Sequence, residues 1–198
     1  LVISKATAAY VIANQQAFIR ATGGQCGGIT TQDSSGNSWI AYNLNSLPLN
    51  PATQGSTGIS CSNPTAAGFL PTAPSTWTNR YQQTYRLATR IQNNTGNPNA
   101  NNAVQAVSAV IYTTGGAPLS NPQLADMTSR LGAVAEPIYN SGIGSPYGRS
   151  FMSNSLAEYQ AGHISISLDR LSDPASDDNL HRYGTPGNSA PNQMNATL

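Results

Sequence analysis

The chain has 198 residues, enough for one domain that buries about 70% of the surface its unfolded form exposes. Only 9% of them are charged, against about 25% in an ordinary soluble domain, and the net charge is +1 with arginines spread from Arg20 to Arg182. Such a distribution leaves no electrostatic footprint for phosphates or anionic lipid and argues against nucleic acid as a partner, while the Asn, Ser, Thr, Gln and Gly that replace charges fit a secreted or cell-surface protein.

From Leu1 to about Ala21 small and apolar residues recur at Val2, Ala6, Ala9, Tyr10, Ala13, Ala17 and Phe18, a helical period that predicts one amphipathic helix with Val2, Ala6, Ala9, Tyr10, Ala13 and Ala17 as its packing face. Thr22-Gly23-Gly24 then supplies the glycine a helix end often needs. Residues 25 to 79 read as a long irregular stretch with short apolar patches at Ser38 to Tyr42 and Gly68 to Leu70. Tyr85, Leu87, Thr89 and Ile91 alternate with Thr84, Arg86, Ala88 and Arg90, which predicts a strand with one buried face. Val104 to Thr113, rich in β-branched residues, predicts its antiparallel partner. Asn121 as N-cap and Pro122 at the first helical position open a short helix with an apolar stripe of Leu124, Met127, Leu131 and Val134. Gly162 to Leu168 alternates Ile164, Ile166 and Leu168 with His163, Ser165 and Ser167, a third strand, and beyond Ser172 the chain becomes polar and rich in Pro and Gly, like a linker. No segment approaches the roughly 20 apolar residues of a membrane span, and no signal peptide is visible. A start at Leu1 inside a helical pattern reads as a mature or truncated fragment.

Chemistry has few candidates. Cys26 and Cys61 lie in Gly/Ser/Thr-rich sequence without a nearby His or carboxylate cluster, so a disulfide is preferred over a metal site; two unpaired buried thiols are the alternative. That bond would contribute roughly 3 to 4 kcal/mol and needs an oxidising compartment. The two histidines, His163 in a strand and His181 in a polar turn, lack the i, i+4 partner of a metal-binding helix. His163 reads as a hydrogen-bonded strand residue rather than a catalytic base. Asp173, Asp177 and Asp178 crowd one turn, but without the alternating pattern and terminal Glu of an EF-hand they read as a solvated acidic loop. Gly142 to Gly148 contains neither a phosphate loop nor a Gly-x-Ser-x-Gly elbow. Nine tyrosines with Trp39 and Trp77 could stack on sugars, yet in strands such residues more often pack a sheet. No metal, cofactor or catalytic residue is therefore expected.

Ala67-Gly68-Phe69-Leu70-Pro71 and Thr78-Asn79-Arg80-Tyr81-Gln82-Gln83-Thr84-Tyr85-Arg86-Leu87 introduce a string of short motifs. It continues through Val107 to Leu119 with Thr114-Gly115-Gly116, and returns at Gly162-His163-Ile164, Asn179-Leu180-His181-Arg182, Pro186-Gly187-Asn188 and Asn192-Gln193-Met194. In order and spacing this string resembles the constant region of shufflon-type minor pilins, the tip adhesins of thin conjugative type IV pili. That family usually shows Tyr-Gly-Gln where this chain has Tyr81-Gln82-Gln83, and Gly-Gly-Tyr where it has Glu136-Pro137-Ile138-Tyr139.

The resemblance implies an α+β, type IV pilin-like fold: a long N-terminal helix packed on an antiparallel β-sheet, with a disulfide-stapled αβ-loop. It implies a pilin-like domain over 1–172 and a C-terminal linker over 173–198 leading to an adhesin segment. The implied role is structural, at an extracellular pilus used in conjugative mating, with other pilin subunits as partners and a homotrimer at the tip. A variable C-terminal segment outside this chain would recognise recipient-cell lipopolysaccharide, and a missing N-terminal half-helix would be the only membrane contact before assembly, when the subunit sits in the periplasm and inner membrane. A secreted carbohydrate-binding module is the alternative that the aromatics raise, and a hydrolase using His163 a more remote one.

Overall fold

The computed structural model describes residues 2–32, 37–51, 58–74, 77–93, 105–132, 135–138 and 160–168. In chain order, helices α1 (Val2–Ala13) and α2 (Gln15–Arg20) lead through a 3-10 turn (Gln25–Gly27) into strands β1 (Ile29–Gln32), β2 (Ser38–Asn43), β3 (Leu47–Leu49) and β4 (Ser60–Ser62). Strands β5 (Thr84–Asn93) and β6 (Gln105–Thr114), helix α3 (Asn121–Leu131), and strands β7 (Ala135–Ile138) and β8 (His163–Ser167) complete the described elements. Six strands form one sheet in the order β1-β2-β5-β6-β8-β7, with every neighbouring pair antiparallel, and β3 and β4 form a separate ladder.

This corrects the expected pilin-like α+β fold. The chain does not carry a long N-terminal helix on a sheet; it is mostly antiparallel β-sheet with short helices, and the N-terminal segment is broken into pieces of 12 and 6 residues. The break has a side-chain cause. Asn14 sits at φ −114°, ψ 22°, outside helical geometry. Its Nδ2 donates to the Tyr10 carbonyl at 3.0 Å, while its Oδ1 accepts the Asn50 amide at 3.0 Å. Asn50 answers with Oδ1 accepting from the Ala17 amide at 2.8 Å and Nδ2 donating to the Ala13 carbonyl at 3.1 Å. Asparagine offers the backbone an alternative to the helical ladder, and here two of them clasp the break to the chain just after β3. Asn14→Ala or Asn50→Ala is each expected to cost about 1–3 kcal/mol of stability, and the double variant less than the sum, because both remove the same clasp. Urea denaturation of the three variants checks this.

The stretch 25 to 79, expected to be irregular, contributes β1 to β4, with β2 one strand from the centre of the sheet. The expected staple is present: Cys26 and Cys61 are bonded, joining the 3-10 turn to β4 across 35 positions of sequence. The β5–β6 pairing follows expectation, running from Thr84 opposite Thr114 to Asn93 opposite Gln105. Helix α3 begins one residue away from the expected place: Asn121 is its first residue and Ser120 its N-cap, whose amide donates to Gln123 Oε1 at 2.9 Å. Leu124 is buried and Met127 and Leu131 are half-buried, whereas Val134 lies outside the described residues.

Both faces of the central strands are buried. On one, Tyr42, Leu87, Ala109, Ile111, Ile164 and Ile166 join Tyr10, Val11 and Phe18 from the N-terminal helices in the main core. Tyr10 and Phe18, and Phe18 and Tyr42, meet edge to face with ring centres 6.3 and 5.9 Å apart, a favoured aromatic geometry. The Tyr10 hydroxyl donates into the β3 carbonyls, 3.1 Å from that of Pro48. On the other face Trp39, Ala41, Ala88, Val110, Tyr112 and Ile138 form a second cluster.

Burial pushes the Tyr42 hydroxyl from its ordinary 10.0 up to about 12, with Thr89 offsetting part of the rise, and pushes Tyr10 upward for the same reason. Since these folded values lie above the unfolded one, the stabilisation is complete below pH 10.0 and is lost as pH rises through the folded values. Stability is expected to fall between about pH 10 and 12, with tyrosinate absorbance of the buried rings rising only as circular dichroism reports unfolding. Ionisation of those rings in an intact fold would contradict this.

Candidate functional site

Three of the motifs that carry the resemblance lie far apart in sequence: 78–87, 107–119 and 162–164. The fold brings them to one buried polar node at the ends of β5, β6 and β8. Its centre is Gln83, fully buried immediately before β5. Gln83 Nε2 donates to the carbonyls of Ala117 at 2.8 Å and Gly162 at 3.1 Å. Gln83 Oε1 accepts from Asn79 Nδ2 at 2.9 Å and Thr113 Oγ1 at 3.0 Å. A primary amide has two donors and two acceptor positions, so all its capacity is used.

The first motif also locks its own turn, and the other two are bonded to each other. Asn79 Oδ1 accepts from the amides of Tyr81 at 2.9 Å and Gln83 at 3.1 Å, shaping the turn before β5. Thr113 Oγ1 accepts from the Ile164 amide at 3.2 Å, and the Gly162 carbonyl takes a second bond from the Leu119 amide at 2.9 Å. Gly116 and Gly162 have φ of 61° and 84°. A Cβ on Gly116 would lie 2.5 Å from the Gln82 backbone, and one on Gly162 would lie 2.5 Å from Pro118, so glycine is required at both by conformation and by space.

His163, 2% exposed, braces the same region. Its Nε2 lies 2.8 Å from the Gly115 carbonyl, and its Nδ1 lies 3.0 and 3.1 Å from the carbonyls of Ala161 and Gln160. A general base needs a lone pair aimed at a substrate, and both ring nitrogens here face main-chain oxygens. The arrangement cross-links a loop to the sheet.

A polar row crosses the second face of the sheet beside this node. The register aligns Asn43, Arg86, Tyr112, Ser165 and Glu136 on five successive strands. Arg86 and Glu136 are 4% and 5% exposed, and Arg86 Nη1 donates to Asn43 Oδ1 at 2.5 Å. β7, which contributes Glu136, was not expected from the sequence.

On the first face, an apolar groove of about 510 Å³ opens between the start of α1, the end of α3 and the turn at Asn79 to Tyr81. Ile111, Thr113, Ile164 and Ile166 form its floor; Val2, Ile3, Ser4, Tyr85, Met127 and Leu131 line its sides; Arg80 and Tyr81 stand at one end.

Of the expected helix face, Ala6, Tyr10 and Ala17 are buried, Ala9 is half-buried, Ala13 is exposed and Val2 is 70% exposed. Sequence periodicity missed Ser4, Thr7, Ala8 and Val11, which α1 also buries. Of the aromatics weighed for sugar stacking, Tyr10, Tyr42 and Tyr112 are fully buried, Trp39 nearly so, and Tyr81 and Tyr85 half-buried at the groove. His181, the Asp173 to Asp178 turn, the Gly142 to Gly148 segment and the 173–198 linker lie outside the described residues. Among the described residues no three His, Cys, Asp or Glu side chains cluster as metal ligands, and no helix is long and apolar enough to cross a membrane. Comparison with protein-family models, with curated proteins and with solved structures gives no match.

Proposed function

We propose that this chain is a non-enzymatic structural domain of an extracellular conjugative pilus, a minor pilin or tip-adhesin scaffold that presents a variable C-terminal segment to recipient-cell lipopolysaccharide. The reading rests on the motif string and not on the pilin-like helix arrangement, which the fold does not have. The observation that carries it is the convergence of three motifs on Gln83. Of the residues shared with the resembled family in order and spacing, those at 78–87, 107–119 and 162–164 lock β5, β6 and β8 together, which is what a scaffold has to keep.

A departure from the family pattern adds support. Gln82 stands where the resembled family carries glycine, and its φ is 61°, the left-handed region that favours glycine. Gln82→Gly is therefore expected to raise stability by about 0.5–1 kcal/mol, read as a higher denaturation midpoint, by relieving the strain that a side chain meets there. A loss of stability would mean that the glutamine side chain contributes contacts of its own.

The disulfide supports placement in an oxidising compartment. The functional reading is tested by deleting the gene from donor cells and measuring plasmid transfer in liquid and on a surface. Loss of transfer in liquid, restored by the intact gene, is the expected result. Unchanged transfer under both conditions would overturn the reading.

A further inference from the structure

The scaffold role makes no use of the groove on the first face. Its floor is three isoleucines and Thr113 from two strands, its walls are mostly apolar side chains from α1, α3 and β5, and its volume of about 510 Å³ falls within the range of about 300–1,000 Å³ typical of small-molecule sites. The charge at its mouth is cationic. Arg80 is the one ionisable Lys, Arg, His, Asp or Glu among the lining residues. It is exposed, with its guanidinium 4.8 Å from the Tyr81 ring centre and Nη2 donating to the Tyr81 hydroxyl at 2.6 Å. The salt bridge of nearby α3, Arg130 with Asp126, leaves those charges paired with each other. Asn79, at the same end, spends its side chain on Tyr81, Gln83 and the turn, so it offers little to a hydroxyl-rich ligand.

An apolar trough closed at one end by a single held cation complements a molecule with an aliphatic body and one anionic end. We propose that the groove binds a single-chain amphiphilic carboxylate, its chain laid over Ile111, Ile164 and Ile166 between Ile3 and Met127, and its carboxylate against Arg80. Binding of this kind uses the chain for affinity and the cation for orientation. Each methylene added within the groove strengthens binding about fourfold, and the exposed ion pair contributes about threefold.

The test is calorimetric titration of the purified protein with dodecanoate below its micellar concentration, beside decanoate, the neutral dodecyl maltoside and the cationic dodecyltrimethylammonium. Dodecanoate is expected to bind with one site per chain, to exceed decanoate by roughly sixteenfold, and to exceed both other twelve-carbon heads. Arg80→Gln should bring dodecanoate down to the level of the neutral amphiphile. Met127→Trp should abolish binding by filling the trough, and Leu131→Gln, at the half-buried last position of α3, should weaken it where Met127→Trp disturbs folding. No binding, binding indifferent to both α3 variants, or a preference for the neutral or cationic head would overturn the proposal. Association only with anionic lipid vesicles, without uptake of dodecanoate, would do so as well. None of these outcomes bears on plasmid transfer, so this site and the scaffold reading stand or fall separately.

Discussion

Replacing Gln83 by leucine is expected to remove about 3–5 kcal/mol of folding stability, an effect of a size that usually follows loss of a large core side chain. The volume hardly changes; the polar accounting does. Leucine would leave the carbonyl of Ala117 and the buried carbonyl of Gly162 each short of a donor, and Asn79 and Thr113 each short of an acceptor. An unsatisfied buried group costs about 1–3 kcal/mol, and some of these retain other partners, which keeps the total below the full sum. Gln83→Glu is a sharper test because it is isosteric. Its carboxylate would keep the two accepted bonds and turn a negative oxygen toward two carbonyls, so it should destabilise at least as much at neutral pH. Thr113→Val, which removes two bonds, should cost about 1–2 kcal/mol. Urea denaturation followed by circular dichroism measures all three. A cost under about 1 kcal/mol for Gln83→Leu would mean that the node does not hold the strands together.

The second large effect concerns the Cys26–Cys61 bond. Substituting both cysteines by serine is expected to lower stability by roughly 3 to 4 kcal/mol, since the bond closes a 35-residue separation in the unfolded chain. The bond also fixes the β3–β4 ladder, where Cys61 stands opposite Pro48, beneath the Tyr10 hydroxyl. Loss should therefore loosen the N-terminal helices first and the β5–β6 pair last, visible as the order in which amides lose hydrogen-exchange protection. Reductant should shift the denaturation midpoint of the native chain and leave the double variant unmoved. Equal midpoints for the native chain with and without reductant would contradict the assigned contribution.

These effects show which parts of the molecule a sequence can reveal. β5, β6 and β8 were legible because their alternation and β-branched content are local signals. α3 was legible to within a residue because Pro122 and the Leu124, Met127, Leu131 spacing mark a helix within a dozen positions. The break at Asn14 was not, because its cause is Asn50, 36 residues away, and a period of small residues runs through the break without a mark. β2 was visible only as an apolar patch, since Trp39 and Ala41 face one cluster while Ile40 and Tyr42 face the other, and two buried faces erase alternation. β7 was hidden by Pro137, which an edge strand tolerates and which reads as a breaker. The node was half legible: its motifs were singled out as a string, but nothing in their spacing shows that one glutamine ties them together. The groove left no sequence signal, because its lining comes from five elements.

The central claim, that this is a pilus-borne scaffold, is tested most directly by immunogold electron microscopy of filaments sheared from donor cells, using antibody raised against the purified chain. The account predicts label on the filaments, concentrated at their tips and lost on deletion of the gene. Label confined to the cytoplasm or to membranes without filaments would contradict it.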